Sequence, residues 1–309
     1  MLKKTLTFLF VFALSTLCFA LPQTYRKAKE GLPHPLSELI KELPPLPLVV
    51  FLGEQHDHGF AHRIEEELLR LLEREYPGRV ALSLEMFERD VQEDLDRYLS
   101  GEIPEEEFLR LCRPWPNYER DYRPLILFAK ERGIPVSASN VPRPLASRIA
   151  RQGEEAFSRL STDEKRWAAS RLQHDFPSYR ERFLKTLVDI PSAMMKAGGP
   201  GMEERLYLAQ CLKDSTMAES LQALHKRFPQ RVILHVNGSF HSDYHQGTPG
   251  ALQTLEPALA TVVIKVFPPE TPTLEAEAFV KEGTLGEIFF QEPRASQPNS
   301  TGEGAAPRE

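Results

Sequence analysis

Short apolar runs alternate with helical segments along most of this sequence. The runs lie at 48–52, 79–84, 135–139, 232–236, 260–267 and 288–291. Helices are predicted between the first three of these runs, at 64–76, 88–99, 104–112 and 122–132. Buried strands that alternate with helices are typical of a parallel sheet covered by helices on both faces. We therefore predict an α/β fold with a mostly parallel sheet.

The alternation stops in the middle of the chain. Amphipathic helices are predicted at 145–153, 162–174, 179–188 and 203–228, with no strand between them. We predict that residues 145–228 form a smaller helical subdomain inserted into an α/β domain of residues 21–144 and 229–291. The Pro-, Ser-, Gly- and Glu-rich residues 292–309 are predicted to be a disordered tail.

Residues 1–20 have the pattern of a secretory signal peptide. Lys3 and Lys4 precede an apolar run that ends in Cys18-Phe19-Ala20, and a run of roughly a dozen residues is short for a membrane span. We predict an exported protein, either periplasmic or membrane-associated, that is cleaved after Ala20. A lipid anchor at Cys18 is disfavoured, because the bulky Leu17 precedes it where lipoprotein signals have a small residue.

Export and charge limit two further properties of the chain. Cys112 and Cys211 would lie in an oxidising compartment, where they form either one disulfide bond or two buried free thiols. The formal net charge of −6 and the absence of a long basic run argue against a nucleic-acid partner.

Two strands end in the same pattern. The segment VVFLGEQH ends in Gly53-Glu54-Gln55-His56, and VILHVNGSFH ends in Gly238-Ser239-Phe240-His241. Each glycine lets the chain turn sharply and places a histidine just beyond the carboxyl end of a strand. Open α/β sheets bind their ligands at that edge.

Other polar side chains are predicted at the same edge. Glu85 follows the second α/β strand, and Asn140 and Arg143 follow the third. Because two histidines and a carboxylate suit a divalent metal or a general base with an orienting partner, we predict a site of His56, Glu85 and His241. If this site is catalytic, Asn140 and Arg143 would also belong to it, and Arg143 would bind an anionic group of the substrate or stabilise an oxyanion. The alternative is that these residues only cap turns and helices.

A second group of histidines lies just after the first glycine pattern. His58 and His62, four residues apart, either share a helix face and bind one metal, or line the start of the helix and face water. The sequence leaves both alternatives open.

Six blocks of sequence occur in an order that resembles a known family. They are FLGEQHD, LSLEMF, WPNYERDYRPL, GIPVSASNVPR, LYLAQCLKDSTMA and HVNGSFH, and the resemblance extends over about residues 48–291. Together they resemble the ChaN-like family of haem-binding, iron-regulated bacterial proteins, which shares a superfamily with Tiki metalloproteases, TraB proteins and erythromycin esterases.

The resemblance implies an α/β domain with a smaller helical subdomain, and a haem pocket that forms between the two copies of a homodimer. It maps the paired histidines of the superfamily site onto His56 and His241, and the acid of that site onto Glu85. The Asn-x-Pro-Arg block of the superfamily corresponds to Asn140 and Arg143. A pattern in the helical part corresponds to Gln210, Asp214 and Met217.

The resemblance leads to three hypotheses about function. The first is an exported haem-binding protein of iron acquisition, with an outer-membrane haem receptor as partner. Relatives often carry histidines just before the block LYLAQCLKDSTMA, whereas residues 196–202 contain none. We therefore expect a tyrosine as the iron ligand, either Tyr179 or Tyr207 of the helical part. The second is a hydrolase that uses His56, Glu85 and His241, and the third is a non-catalytic scaffold.

Overall fold

A computed structural model describes residues 24–27, 32–189, 198–268, 271, 286 and 288–291. The predicted signal peptide and tail lie outside these residues. The described strands form one sheet in the order β2-β1-β8-β7-β3-β6-β4-β5. They are β1 (Thr24–Lys27), β2 (Pro33–Pro35), β3 (Leu48–Glu54), β4 (Val80–Glu88), β5 (Val136–Asn140), β6 (Val232–Gly238), β7 (Ala260–Phe267) and β8 (Ile288–Gln291).

The six strands from β8 to β5 run parallel to one another. Beyond β8, β1 pairs antiparallel with β8, and β2 pairs antiparallel with β1. The predicted mostly parallel sheet is therefore confirmed. The helices are α1 (Leu39–Glu42), α2 (Gly59–Glu75), α3 (Gln92–Leu99), α4 (Glu105–Cys112), α5 (Tyr118–Asp121), α6 (Arg123–Arg132), α7 (Arg143–Gln152), α8 (Glu154–Ser158), α9 (Pro177–Thr186), α10 (Met202–Arg227) and α11 (Thr248–Leu255). None of the described helices has both the length and the apolar character to cross a membrane.

Helices cover both faces of the sheet, as the continuous apolar strands require. On one face, Leu68 of α2 packs in a cluster with Val50 and Leu52 of β3. On the other face, Leu221 of α10 and Leu252 of α11 pack in a cluster with Val49 of the same strand. Burial of each large aliphatic side chain contributes about 1.5–3 kcal/mol to the free energy of unfolding.

The described residues between β5 and β6 form helices and no strand. Leu145, Ile149 and Tyr207 belong to a separate apolar cluster within these helices. The helix α10 takes part in two cores, because its first half packs in this cluster and its second half, with Leu221 and Leu224, packs on the sheet. This single helix of 26 residues therefore joins the helical part to the α/β part.

The prediction of a helix over 162–174 is wrong. This segment contains only a short 3-10 turn, Glu164–Arg166. After that turn, backbone N–H groups bond to side chains of α10 instead of to carbonyls one turn back. Ala169 donates to Oγ1 of Thr216 at 3.1 Å, and Gln173 donates to Oγ of Ser215 at 2.9 Å. The other three helices predicted in the middle of the chain agree with α7, α9 and α10 to within two residues.

Other boundaries also differ from the prediction, and α2 begins at Gly59, five residues before the predicted start. The strand β4 continues beyond Leu84 to Glu88, where an irregularity in the ladder lets Glu88 pair with Asn140, so the next helix begins at Gln92. The Pro-rich segment before residue 48, for which no strand was predicted, contributes β2.

Cys112 and Cys211 are both free and buried. They lie in different apolar clusters, so the second of the two alternatives, a pair of buried thiols, is the one observed. Burial raises the pKa of the Cys112 thiol to about 12, which keeps it protonated and unreactive near neutral pH.

Candidate functional site

The carboxyl ends of the adjacent strands β3, β6 and β4 bring His56, Glu85 and His241 together. Nε2 of His241 lies 3.3 Å from Oε1 of Glu85. The N–H of Gly238 donates to Oε2 of Glu85 at 2.8 Å, and a Cβ on Gly238 would lie 2.9 Å from Cε1 of His56. A side chain at position 238 would therefore displace the His56 ring. We call His56, Glu85 and His241 the rim.

Asp214 of α10 holds His241 in place. Its Oδ1 accepts hydrogen bonds from Nδ1 of His241 at 2.7 Å and from Oγ1 of Thr248 at 2.8 Å, and its Oδ2 accepts one from the Tyr179 hydroxyl at 2.6 Å. Burial alone would lower the pKa of His241, but Glu85 and Asp214 raise it to about 10. The ring is therefore an imidazolium at neutral pH, and it is not a free general base.

We expect the free energy of unfolding to decrease as the pH rises from about 7 towards about 10. The ordinary pKa of histidine is 6.5, whereas that of folded His241 is about 10. The stabilisation is therefore complete below 6.5 and is lost as the pH rises through the folded pKa, with a slope of up to about 1.4 kcal/mol per pH unit. Urea unfolding at a series of pH values measures this slope. His241→Gln should flatten it, and an equal slope in that variant would contradict the assignment.

His56 is the accessible member of the rim. Its side chain is 46% exposed, and its Nδ1 lies 2.7 Å from Oε1 of Glu54. Partial burial alone would lower the pKa of His56, but the hydrogen bond with Glu54 and the charge of Glu85 raise it. Solvent and ligands therefore reach this edge of the sheet at His56.

Behind His56 lies a set of buried polar residues that the sequence analysis did not assemble. Glu54 of β3 and His62 and Glu65 of α2 each offer one ligand atom, and these atoms lie within 4.8 Å of one another. Burial, chiefly, raises the pKa of Glu54 and of Glu65 to about 8. We call Glu54, His62 and Glu65 the inner cluster. His62 is 4% exposed, so the alternative in which it faces water is wrong.

A surface groove of about 480 Å³ lies beside α9. A histidine, two cations, two acids and several apolar side chains line it: His174, Arg180, Lys185, Asp175, Glu181, Phe176, Pro177, Leu184 and Val188. His174 is partly exposed, and the Tyr207 hydroxyl donates to its carbonyl oxygen at 3.0 Å, which fixes the turn that carries it. We call this the α9 groove.

Three other grooves lined by described residues differ in chemistry. The grooves of about 900 and 630 Å³ have arginines but no histidine, tyrosine, cysteine or methionine in their linings. The groove of about 320 Å³ contains His245 but no lysine or arginine. The α9 groove is the one among these four that combines a histidine with cations.

A family model described as haem-binding uptake, Tiki superfamily, ChaN matches residues 47–252. The chain belongs to the ChaN family. This match covers the rim, the inner cluster and the α9 groove, so all three lie within the part of the chain that defines family membership.

One solved structure shares the fold of this chain, and two others are similar to it with lower TM-scores. The ChaN of Campylobacter jejuni, described with cofacial haem binding, is 16% identical with a TM-score of 0.61, over 86% of this chain and 95% of that one. An erythromycin esterase mutant is 14% identical with a TM-score of 0.41, over 72% and 70% of the two chains. A succinoglycan biosynthesis protein is also 14% identical, with a TM-score of 0.44 over 80% and 73%. No curated protein matches the chain in sequence.

In this ChaN family member, both tyrosines predicted as iron ligands are buried. The Tyr179 hydroxyl donates to Asp214 and the Tyr207 hydroxyl donates to the carbonyl of His174. Burial, chiefly, raises the pKa of each phenol above its usual range. A ferric ligand is the deprotonated phenolate, so this environment counts against iron binding, which stays a prediction for both residues.

The structure does not bring Asn140 and Arg143 into contact with the rim. Oδ1 of Asn140 accepts a hydrogen bond from the N–H of Val141 at 2.8 Å. The Arg143 side chain is 70% exposed and lies 3.6 Å from Glu88. Among the described residues, no hydrogen bond or ion pair joins either side chain to His56, Glu85 or His241, and their catalytic role stays a prediction.

Proposed function

We propose that this chain is a haem-binding protein of iron acquisition, exported to the periplasm or to a membrane surface. The observation that carries the proposal is its membership of the ChaN family over residues 47–252. The likeness in fold to the ChaN of Campylobacter jejuni, described with cofacial haem binding, supports it. An outer-membrane haem receptor is the partner that we expect to deliver or accept the haem.

We place the haem in the α9 groove. Its apolar side chains suit the macrocycle, and the imidazole of His174 suits the iron as an axial ligand. Arg180 and Lys185 suit the two propionates. Both cations now pair with exposed acids, Arg180 with Glu204 at 2.7 Å and Lys185 with Glu181 at 2.8 Å. Exposed pairs of this kind contribute little to stability because solvent screens them, so exchanging them for propionates costs little.

A second copy of the chain is the proposed cover for this groove. Val188 at its edge is 81% exposed, which leaves apolar surface uncovered next to the proposed haem position. Because buried apolar surface favours association, a homodimer that closes over the haem would bury this edge. Light scattering with and without haem tests this arrangement.

Titration of the protein with ferric haem is the experiment that tests the proposed function. We expect a saturable Soret band in the unaltered protein. His174→Ala should shift that band and weaken binding by about tenfold or more, a loss of about 1.4 kcal/mol. His225→Ala, which removes a histidine outside the groove, should bind haem as the unaltered protein does. Equal binding by His174→Ala would contradict the placement, and the absence of any Soret band would contradict haem binding itself.

A further inference from the structure

The inner cluster has the spacing of a metal site. Nδ1 of His62 lies 3.2 Å from Oε2 of Glu54 and 3.1 Å from Oε2 of Glu65. Ligand atoms that share one metal at about 2.0–2.2 Å are separated by about 3 Å. The three side chains therefore need little movement to coordinate a single cation.

The orientation of His62 places its Nδ1 against the two carboxyl groups. Its Nε2 lies 3.0 Å from the carbonyl oxygen of His56, and a carbonyl only accepts hydrogen bonds. Nε2 therefore carries the proton, and in the neutral ring Nδ1 is an acceptor that meets two carboxyl oxygens. Metal-binding histidines usually donate their second N–H in this way, to a backbone carbonyl or a carboxylate.

Two carboxyl oxygens of the cluster are buried and make no hydrogen bond of good geometry, and the two carboxyl groups lie against each other. They are Oε2 of Glu54 and Oε1 of Glu65, whose residues are 3% and 0% exposed. Within the described part of the chain, no lysine or arginine pairs with either residue, and Arg120 pairs instead with Asp121 at 2.6 Å. Because an uncompensated buried carboxylate is costly, a cation at this position would stabilise the cluster.

We infer that Glu54, His62 and Glu65 bind one divalent transition-metal cation. One imidazole and two carboxylates suit Zn²⁺, Mn²⁺ or Fe²⁺ better than the all-oxygen cations. Tyr122 donates to Oε1 of Glu54 at 2.5 Å and Nδ1 of His56 lies 2.7 Å from the same atom, so both orient this ligand. None of these three ligands belongs to the rim, where Asp214 and Glu85 already pair with His241. His56 is the rim residue that contacts the inner cluster, through Glu54.

Equilibrium dialysis of the full chain against Zn²⁺ and Mn²⁺, after removal of bound metal with a chelator, tests the inference. We expect one bound equivalent and a rise in the melting temperature on loading. The isosteric Glu65→Gln should weaken binding by about tenfold or more and abolish the rise. Glu66→Gln, at the neighbouring position of α2, and Glu85→Gln, at the rim, should both bind metal as the unaltered chain does.

Three outcomes would overturn the inference. Binding that is lost in Glu85→Gln but kept in Glu65→Gln would place the metal at the rim. Equal binding by all variants would place it elsewhere. The absence of Zn²⁺ and Mn²⁺ binding by folded protein would mean that protons alone compensate the carboxyl groups. Circular dichroism identifies a variant that has not folded, and Co²⁺ absorption of the unaltered chain then supplies an independent measure of nitrogen and oxygen ligation.

Discussion

Replacing Asp214 with asparagine is expected to lower the free energy of unfolding by about 3–5 kcal/mol, because it leaves buried charges without their partner. Asp214 is 2% exposed and accepts hydrogen bonds from His241, Tyr179 and Thr248. The amide of asparagine can accept at one atom only, so at least one of these donors loses its acceptor. Loss of the charge also removes part of what keeps His241 protonated.

Thermal and urea unfolding measure the effect of Asp214→Asn, which should lower the melting temperature by about 10 °C. Glu203→Gln is the matched control, because it neutralises an exposed carboxylate on the same helix and should change the free energy of unfolding by less than about 1 kcal/mol. A loss no larger than that of the control would show that the Asp214 network contributes little to stability.

Gly247→Ala is expected to destabilise the protein by about 3 kcal/mol or more, through backbone strain and a steric clash. Gly247 has φ +59° and ψ −121°, a backbone conformation that residues with a side chain rarely adopt. A Cβ there would also lie 2.5 Å from the carbonyl oxygen of His241 and 2.9 Å from Oδ1 of Asp214. Because the first of these atoms belongs to the backbone, the clash cannot be relieved by a side-chain rotation.

Gly133→Ala is a control without a clash, in the left-handed helical conformation (φ +62°, ψ +29°) that other residues tolerate better than that of Gly247. A Cβ at Gly133 would meet nothing within 4 Å. This variant should therefore show only the backbone cost, about 1 kcal/mol. Urea unfolding of both variants measures the difference, and an equal loss of stability in the two would show that the space around Gly247 is not limiting.

The sheet and its polar edge could be predicted because their signals are local. Apolar runs define strands, and a glycine after a strand indicates where the following histidine lies, so the sequence alone predicts that His56, Glu85 and His241 share one edge. Parallel pairing of β3, β6 and β4 then makes these residues neighbours.

The partners of these residues could not be predicted in the same way. Asp214 reaches His241 because α10 crosses the carboxyl edge of the sheet. The family resemblance links Asp214 to this site, but no local pattern of residues indicates which side chain it binds. The inner cluster depends on the rotation of α2 about its axis, which turns His62 and Glu65 towards Glu54. The wrongly predicted helix at 162–174 has a related cause, since side chains of a distant helix bind its backbone.

The order of the strands has a consequence for synthesis of the chain. β3 is made early, yet both of its neighbours in the sheet, β6 and β7, lie beyond residue 231. Most of the protein must therefore have been synthesised before the central strand can pair with its neighbours. Pairing between strands so far apart in the sequence slows folding. The incomplete chain exposes an apolar strand without partners, so we expect it to depend on chaperones until β7 has emerged.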